Sequence, residues 1–453
     1  MKSQRIVKSQ FEKMTETPVN RLILTLAVPS IISMMVTNVY NLVDTAFVGT
    51  LGNSASGAIG IVFGFMSILQ AIGFLFGQGS GSIISRLLGQ KNNEDASKYA
   101  STGVILAFAL STFVSVLCGI FLDTIIEWLG STSTIAPYAK KYITFILLTA
   151  PFQVTSFTLN NILRYEGKAF YGMIALFSGA VINIAGDAVF MFVLDMGITG
   201  AGLSTAISQF LSFCFLMIPF ITSKTQTKIS FNFLHLKNIA WNIISTGSPS
   251  LIRQGLTSVS AIVLNFVSKP YGDEAIAGMS IVSRIFFFAV SIAIGVGQGF
   301  QPVCGFNFGA KKYDRLKKAY RFTILFSTIL LFVFGVVLFI FAPQFVRIFR
   351  DDDLVVKIAV YTLRFQCTTI VFMPLCMTTE MMLQSTGQKM QAALLSASRN
   401  GIVLIPLLFI LEYLLGLRGI QISQGISFIV TTIPAAVMGN RFFKRLGFKK
   451  ELQ

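Results

Sequence analysis

The sequence predicts an all-α integral membrane protein whose twelve transmembrane helices form two six-helix bundles, and three observations predict it. Apolar runs long enough to span a bilayer recur twelve times. Charge is scarce and falls mostly between those runs, and the second half of the chain repeats the first. Of 453 residues, 54% are hydrophobic and only 12% are charged, whereas a typical soluble domain carries about 25% charged residues. A dissolved surface needs that missing charge, so much of this surface faces an apolar medium.

About 20 apolar residues cross a hydrocarbon core roughly 30 Å thick. The candidate spans are 22–46, 58–84, 100–122, 142–162, 171–193, 200–222, 240–268, 276–304, 320–342, 358–384, 391–414 and 419–440. Backbone polar groups in lipid must be satisfied within their own segment, which dictates helices. The alternating strands of about ten residues that build a membrane barrel are not in evidence. The start, MKSQRIVKSQFEK, is polar and basic with no apolar core, so it does not read as a cleaved signal peptide.

The formal net charge of +17 invites a nucleic-acid reading, but its distribution argues otherwise. With the N-terminus inside, the cytoplasmic segments hold 25 of the 36 Lys and Arg, the outer loops seven and the spans four. That alternation is the positive-inside pattern. It sets an even number of crossings with both termini in the cytoplasm. The surplus serves topology and attraction to anionic headgroups, and no nucleic-acid recognition module accompanies it. The five cysteines (118, 214, 304, 367 and 376) all sit in apolar runs without a CxxC pair, so neither a disulfide framework nor a zinc site is expected. His235, the single histidine, reads as a solvated loop residue. No nucleophile–base cluster or metal-ligand set falls in a span, so an enzyme is not expected. The absence of a GxxxxGK[ST] phosphate loop disfavours ATP-driven transport.

Shifted by 220, the sequence lies over itself. Pro29-Ser30 meets Pro249-Ser250, Gly52 meets Gly272, Gly77-Gln78-Gly79 meets Gly297-Gln298-Gly299, and Lys91 meets Lys311. Residues 29–100 match 249–320 at 17 of 72 positions without a gap, and near the end a shift of 219 aligns Gly197 and Gly200 with Gly416 and Gly419. Six spans per copy is an even number, so both copies insert in the same orientation. Such a parallel repeat is expected to enclose a central cavity and to expose it alternately to either side. The expected divisions are an N-terminal bundle (1–222), a cytoplasmic linker (223–239) and a C-terminal bundle (240–453). The GQG pairs are expected to serve close helix packing. Pro29 and its repeat partner Pro249 permit bends within spans.

A charge in the bilayer is costly and commonly functional. Asp44 closes the first span, and Asp187 lies in the fifth with Asn183 four residues earlier on the same helical face. Glu380 lies in the tenth; Arg253, Arg284, Arg364 and Arg399 lie in or near spans of the second copy. At the 220 shift Asp44 faces Leu264, Asp187 faces Leu407 and Glu380 faces Asn160. The first copy alone owns the Asp pair, an asymmetry that fold maintenance does not require. Two carboxylates in one dry cavity repel when both are charged, and a proton or a small cation relieves this. That suits coupling to an ion gradient. The alternative is a structural polar pair. Glu380 and the arginines are expected to pair with one another.

The chain resembles the multidrug and toxin extrusion (MATE) family. The resemblance rests on the duplicated six-helix layout, PSIISMMVTNVYNLVDTAFVG, NIAGD, GAGLSTAIS, and the pair LRYEGK and LQSTGQK. It covers nearly the whole chain and is nearest the bacterial MepA-like group, beside the DinF-like branch. It implies a cation or proton site at Asp44, Asn183, Asp187 and Thr205, polar cavity residues at Tyr40 and Asn160, and a helix bend at Pro29. Glu380 is added to the candidate substrate cavity, although it is outside the family pattern. Where the NorM-like branch carries an acid in its seventh helix, this chain has Thr257, which argues against that branch's sodium site.

The expected function is secondary antiport in the bacterial cytoplasmic membrane: export of amphipathic, often cationic drugs in exchange for H⁺ or Na⁺. The aromatic and Met-rich spans suit such substrates. No cofactor and no resident metal are expected, beyond a possible Na⁺ at the coupling site, and a monomer is expected to suffice. The alternative is a flippase for a lipid-linked precursor, which favours a strongly cationic cavity; the arginines of the second half bear on it.

Overall fold

The structure, a computed structural model, describes residues 9–230 and 236–451. His235, and with it the reading of a solvated loop residue, lies outside the described residues. Twelve helices are long and apolar enough to cross a membrane, one for each expected span. In the first repeat they are α1 (Val19–Gly49), α2 (Ser54–Gly89), α3 (Asn93–Ile120), α4 (Ala136–Tyr165), α5 (Ala169–Val193) and α6 (Gly197–Ile221). In the second they are α7 (Asn238–Tyr271), α8 (Asp273–Gly309), α9 (Tyr313–Ile340), α10 (Asp353–Ser385), α11 (Lys389–Leu415) and α12 (Leu417–Gly447). No strand occurs among the described residues. Side-chain caps fix the starts of two of the helices. Asn92 accepts from the Asp95 amide at 3.1 Å ahead of α3, and Asp352 accepts from the Leu354 and Val355 amides at 3.0 and 3.1 Å ahead of α10.

The repeat found in the sequence is also a repeat of backbone conformation. Gly52 and Gly272 have φ of 112° and 91°, and Gly167 and Gly387 have φ of 79° and 84°. These matched positions carry glycine because the turns between helices need positive φ, which a Cβ makes costly. Lys91 and Lys311, also matched, adopt the left-handed conformation at 62° and 57°.

The chain forms two compact units whose division does not follow the expected boundaries at 222 and 239. One is Ile32–Leu251; the other joins Met1–Ile31 to Ile252–Gln453. The division therefore runs through α1 and α7, two residues after Pro29 and Pro249 respectively. Glycines explain why the leading halves of these helices belong where they do. A Cβ on Gly79 of α2 would stand 2.3 Å from the Ile243 carbonyl oxygen of α7, and one on Gly247 only 1.9 Å from that of Leu75. The copies mirror this crossing: a Cβ on Gly299 of α8 would stand 2.6 Å from the Ala27 amide nitrogen of α1, and one on Gly295 would stand 2.5 Å from Ile31. The GQG glycines thus serve packing, as small residues do between membrane helices.

Polar contacts secure the same arrangement. In the Ile32–Leu251 unit, buried Glu166 follows α4 and accepts from the Gln226 and Thr227 amides at 2.9 and 3.2 Å and from the Thr227 hydroxyl. Burial pushes its carboxyl above the ordinary value, an effect the bonds from Thr227 and Gln226 oppose. Ser97 and Ser101 of α3 accept from the Lys228 and Ser230 amides at 3.0 and 2.9 Å. Residues 224–230 of the expected linker are therefore fastened to this unit. In the other unit the short helix Gln10–Glu16 is tied down by Asn307, Lys312 and Arg315, which donate to the carbonyls of Met14, Thr15 and Thr17.

Gly247→Ala lowers the thermal midpoint of the detergent-purified protein by the equivalent of about 1–3 kcal/mol. Gly119→Ala, where no atom lies within 4 Å of the added Cβ, leaves it unchanged or slightly raised; equal midpoints would show that the α2–α7 crossing is not tight. Glu166→Ala exposes the fastened segment, so tryptic cleavage at Lys224 and Lys228 accelerates about tenfold as charge-assisted hydrogen bonds are lost, and an unchanged digestion rate would contradict this anchoring role.

Candidate functional site

The buried carboxylates of the first repeat lie on neighbouring helices. Asp44 sits near the end of α1, and Asn183 and Asp187 sit one turn apart on α5. Ser204 and Thr205 sit early on α6, and Tyr142 early on α4. The α5–α6 seam is closed by glycine: a Cβ on Gly186 would lie 2.5 Å from the Ser204 hydroxyl. This close approach lets Asn183 donate to Thr205 and Ser204 at 3.3 and 3.4 Å, while Ser204 donates to the Asn183 carbonyl at 2.9 Å. Tyr142 donates to Asp44 at 3.2 Å and stands 3.5 Å from the Thr205 hydroxyl. A polar chain therefore runs Asp44–Tyr142–Thr205–Asn183. Asp187 is the last residue before α5 widens into a π-helical turn, Ala188–Val193, a local distortion often found at functional positions.

Burial makes this cluster unusual. Asp187 has no exposed surface and Asp44 is 8% exposed. Among the described residues, both Asp187 carboxylate oxygens, one of Asp44 and the side-chain oxygen of Asn183 are buried with no partner at normal hydrogen-bond geometry, although Ser204 stands near Asp187. An unsatisfied buried acceptor costs about 1–3 kcal/mol and more when charged. The polar chain links Asp44 at one end to the turn of α5 that carries Asp187 at the other. A proton would turn either carboxyl into a donor for a neighbouring acceptor oxygen. A small hard cation would gather the same oxygens, a donor set of carboxylate, amide and hydroxyl oxygen that suits Na⁺ and offers no soft ligand.

Of the other expected residues, Tyr40 is half-buried one turn before Asp44. Asn160 is not brought to this cluster. It lies eighteen residues beyond Tyr142 on α4, about 27 Å along the helix, where its side-chain oxygen lies against Gly172 of α5. Helical rise alone separates it from the aspartates. Glu380 pairs with arginines, as expected of it, and its carboxylate is already engaged. Arg253 donates to it at 2.7 Å, Ser396 at 2.5 Å, and Arg399 stands 3.6 Å away. Such a group is not free to receive a cationic ligand. Thr257, at the position of the NorM-like acid, donates to the Arg253 carbonyl at 2.8 Å and accepts from Asn400 at 3.2 Å. Pro29 lies inside a continuous α1. No group of His, Cys, Asp and Glu poised to hold a metal occurs among the described residues.

Two members of the cluster escaped the sequence reading. Ser204 stands beside Thr205 in GAGLSTAIS and was open to notice. Tyr142 had no signal, since its matched residue is Thr362 and its role depends on where α4 crosses α1.

Comparison with known proteins agrees with this architecture. The MatE family model matches twice, over residues 29–189 and 249–410, one match per repeat. The multidrug export protein MepA of Staphylococcus saprophyticus subsp. saprophyticus is 29% identical over 91% of this chain and 91% of its own length. The protein of the same name from Staphylococcus haemolyticus is 30% identical over 89% and 90%. Among solved structures, an outward-facing multidrug resistance MATE family transporter of the MOP superfamily superposes with a TM-score of 0.92 at 25% identity, covering 97% of this chain and 99% of that one. The chain belongs to the MatE family, a family of multi-pass membrane transporters and not of enzymes.

Proposed function

We propose that the chain is a secondary multidrug efflux antiporter that exports amphipathic, often cationic drugs in exchange for H⁺ or Na⁺, acting as a monomer in a bacterial cytoplasmic membrane. The observation that carries the reading is the set of buried, unpartnered acceptor oxygens on Asp44, Asn183 and Asp187. The names of the MepA relatives support multidrug export. The crowding of Lys and Arg into alternate loops supports cytoplasmic termini.

In this reading the coupling ion is taken up by the Asp44–Asp187 pair. With both carboxylates charged, α1 and α5 carry repelling acceptors. A proton makes them donor and acceptor, and Na⁺ in its place is held by Asp44, Asp187, Asn183 and Thr205. Tyr142 keeps Asp44 aimed into the cluster in either case. The ion shifts the conformational equilibrium only through unequal affinity for the two states, and drug and ion need only favour opposite states for exchange to follow. The flippase alternative gains little, because half-buried Arg253 and buried Arg399 share Glu380.

Asp44→Asn and Asp187→Asn each abolish gradient-driven efflux of a cationic dye from cells at unchanged protein level. Tyr142→Phe, which deletes one hydroxyl, weakens efflux less than either. Normal pumping by both Asn variants would remove the coupling assignment. In proteoliposomes, dissipating the proton gradient at constant Na⁺ stops transport if H⁺ is the coupling ion, and removing Na⁺ stops it if Na⁺ is; transport indifferent to both would refute secondary antiport.

A further inference from the structure

Arg364 lies within a membrane-spanning helix, yet no carboxylate of the described residues pairs with it. Its Nε donates to the Phe339 carbonyl at 3.2 Å and its guanidinium stacks 5.3 Å from the Phe339 ring. Phe339 is in the last turn of α9, where carbonyls lack helical partners and a cation is favoured. The two terminal guanidinium nitrogens have no partner among the described residues. They border a groove of about 620 Å³ formed by the end of α9, the short helix Ala342–Phe349 and the start of α10.

The depth of Arg364 can be reckoned from helix length. The 33 residues of α10 extend about 50 Å, roughly 20 Å more than a hydrocarbon core. With the excess shared between its ends, the hydrocarbon boundary falls about 10 Å from Asp353, near Val360. Lys357 then stands at headgroup level and Arg364 one turn below the boundary, within snorkelling reach of it. Asp353, Lys357, Val360, Arg364 and Thr368 recur at helical spacing on one face of α10 and all line the groove. Arg347 bonds both Asp351 and Asp353, and Asp352 caps α10. Counting Arg350, Lys357 and Arg364 as well, four cations meet three acids at this end, a surplus of one positive charge. Between and below them the walls are apolar, with Phe339, Val360 and Phe365.

We propose that this groove is a binding site for an anionic phospholipid of the surrounding bilayer. Its phosphate is gripped by Lys357 and by the planar fork of Arg364, and an acyl chain lies along Phe339, Val360 and Phe365. An arginine matches phosphate geometry with paired N–H donors. A lipid phosphate also supplies the counter-anion that a guanidinium below the interface otherwise lacks. The site is separate from the coupling cluster, being built from the second repeat alone, and it stands whether or not the transport reading holds.

The test is native mass spectrometry of the purified full chain titrated with phosphatidylglycerol or phosphatidylcholine, alongside the thermal midpoint in each lipid. The expected result is preferential retention of phosphatidylglycerol. Lys357→Gln and Arg364→Gln each reduce that preference about fivefold, while phosphatidylcholine retention and its thermal midpoint stay unchanged. Arg364→Lys, which keeps the charge and loses the fork, falls between Arg364→Gln and the unaltered protein. No preference in the unaltered protein, or full preference in both Gln variants, overturns the proposal. Displacement of bound lipid by free glycerol phosphate at equal concentration also overturns it, because the acyl contact is then idle. If Arg364→Gln does not fold, Lys357→Gln at its exposed position decides alone, and an unchanged preference refutes the site.

Discussion

Two glycine-lined helix crossings set the plan of the molecule. In a bilayer, burying a leucine against another helix gains little over burying it against lipid, so association relies on close packing and on polar contacts. The crossing of α2 with the leading half of α7 brings Gly79 and Gly247 onto opposing backbones, and the crossing of α8 with the leading half of α1 does the same with Gly295 and Gly299. The size complementarity is exchanged between copies. Where the first has Leu75 against Gly247, the second has Gly295 against Ala27 and Ile31. Each copy therefore keeps a tight crossing although the small residue has changed sides. Each crossing fastens the leading half of α1 or α7 to its own unit.

The spans, the repeat register and the glycine turns were legible in the sequence, because each follows from local chemistry. Apolar length, a fixed offset and positive φ leave marks on single residues. The exchange of helix halves was not legible. A strict shift of 220 pairs Pro29 with Pro249 but carries no information about which copy each leading half joins. The same limit explains the candidate site. Asp44, Asn183 and Asp187 stood out as charged or amide groups in apolar runs, and Thr205 came from the family resemblance. Tyr142 is ordinary in sequence and enters only through a crossing of helices 98 residues apart. Asn160 and Glu380 lie outside the cluster for different reasons: the first is far along its helix, and the second, in the other repeat, is paired with arginines.

The two copies have solved the problem of buried charge differently. In the second, Glu380 is held by Arg253, Ser396 and Arg399. Breaking one partner of such a buried set typically costs about 3–5 kcal/mol, so the set is held together. In the first, among the described residues, no cation pairs with Asp187 or Asp44: Asp187 has Ser204 nearby, and Asp44 accepts from a tyrosine hydroxyl. The contrast agrees with a division of labour in which the first copy responds to an ion and the second does not.

Magnitudes indicate which part of the cluster is able to drive a conformational change. A hydrogen bond to a charged group contributes about 1.5–3 kcal/mol and one to a neutral group about 0.5–1.5. Neutralising Asp44 therefore weakens its tie to Tyr142 by about 1 kcal/mol, a bias of roughly fivefold. That falls at the low end of ordinary coupling energies, about 1–3 kcal/mol, and far short of the roughly 5.5 kcal/mol needed to invert a two-state population from 1:99 to 99:1. The tyrosine alone is too weak a lever. The unpartnered oxygens of Asp187 and Asp44 hold the larger reserve, because each buried acceptor that gains a partner recovers about 1–3 kcal/mol. Under the proposed coupling, the conformational work comes from the carboxylate pair, and Tyr142 serves to keep Asp44 where that work can be done.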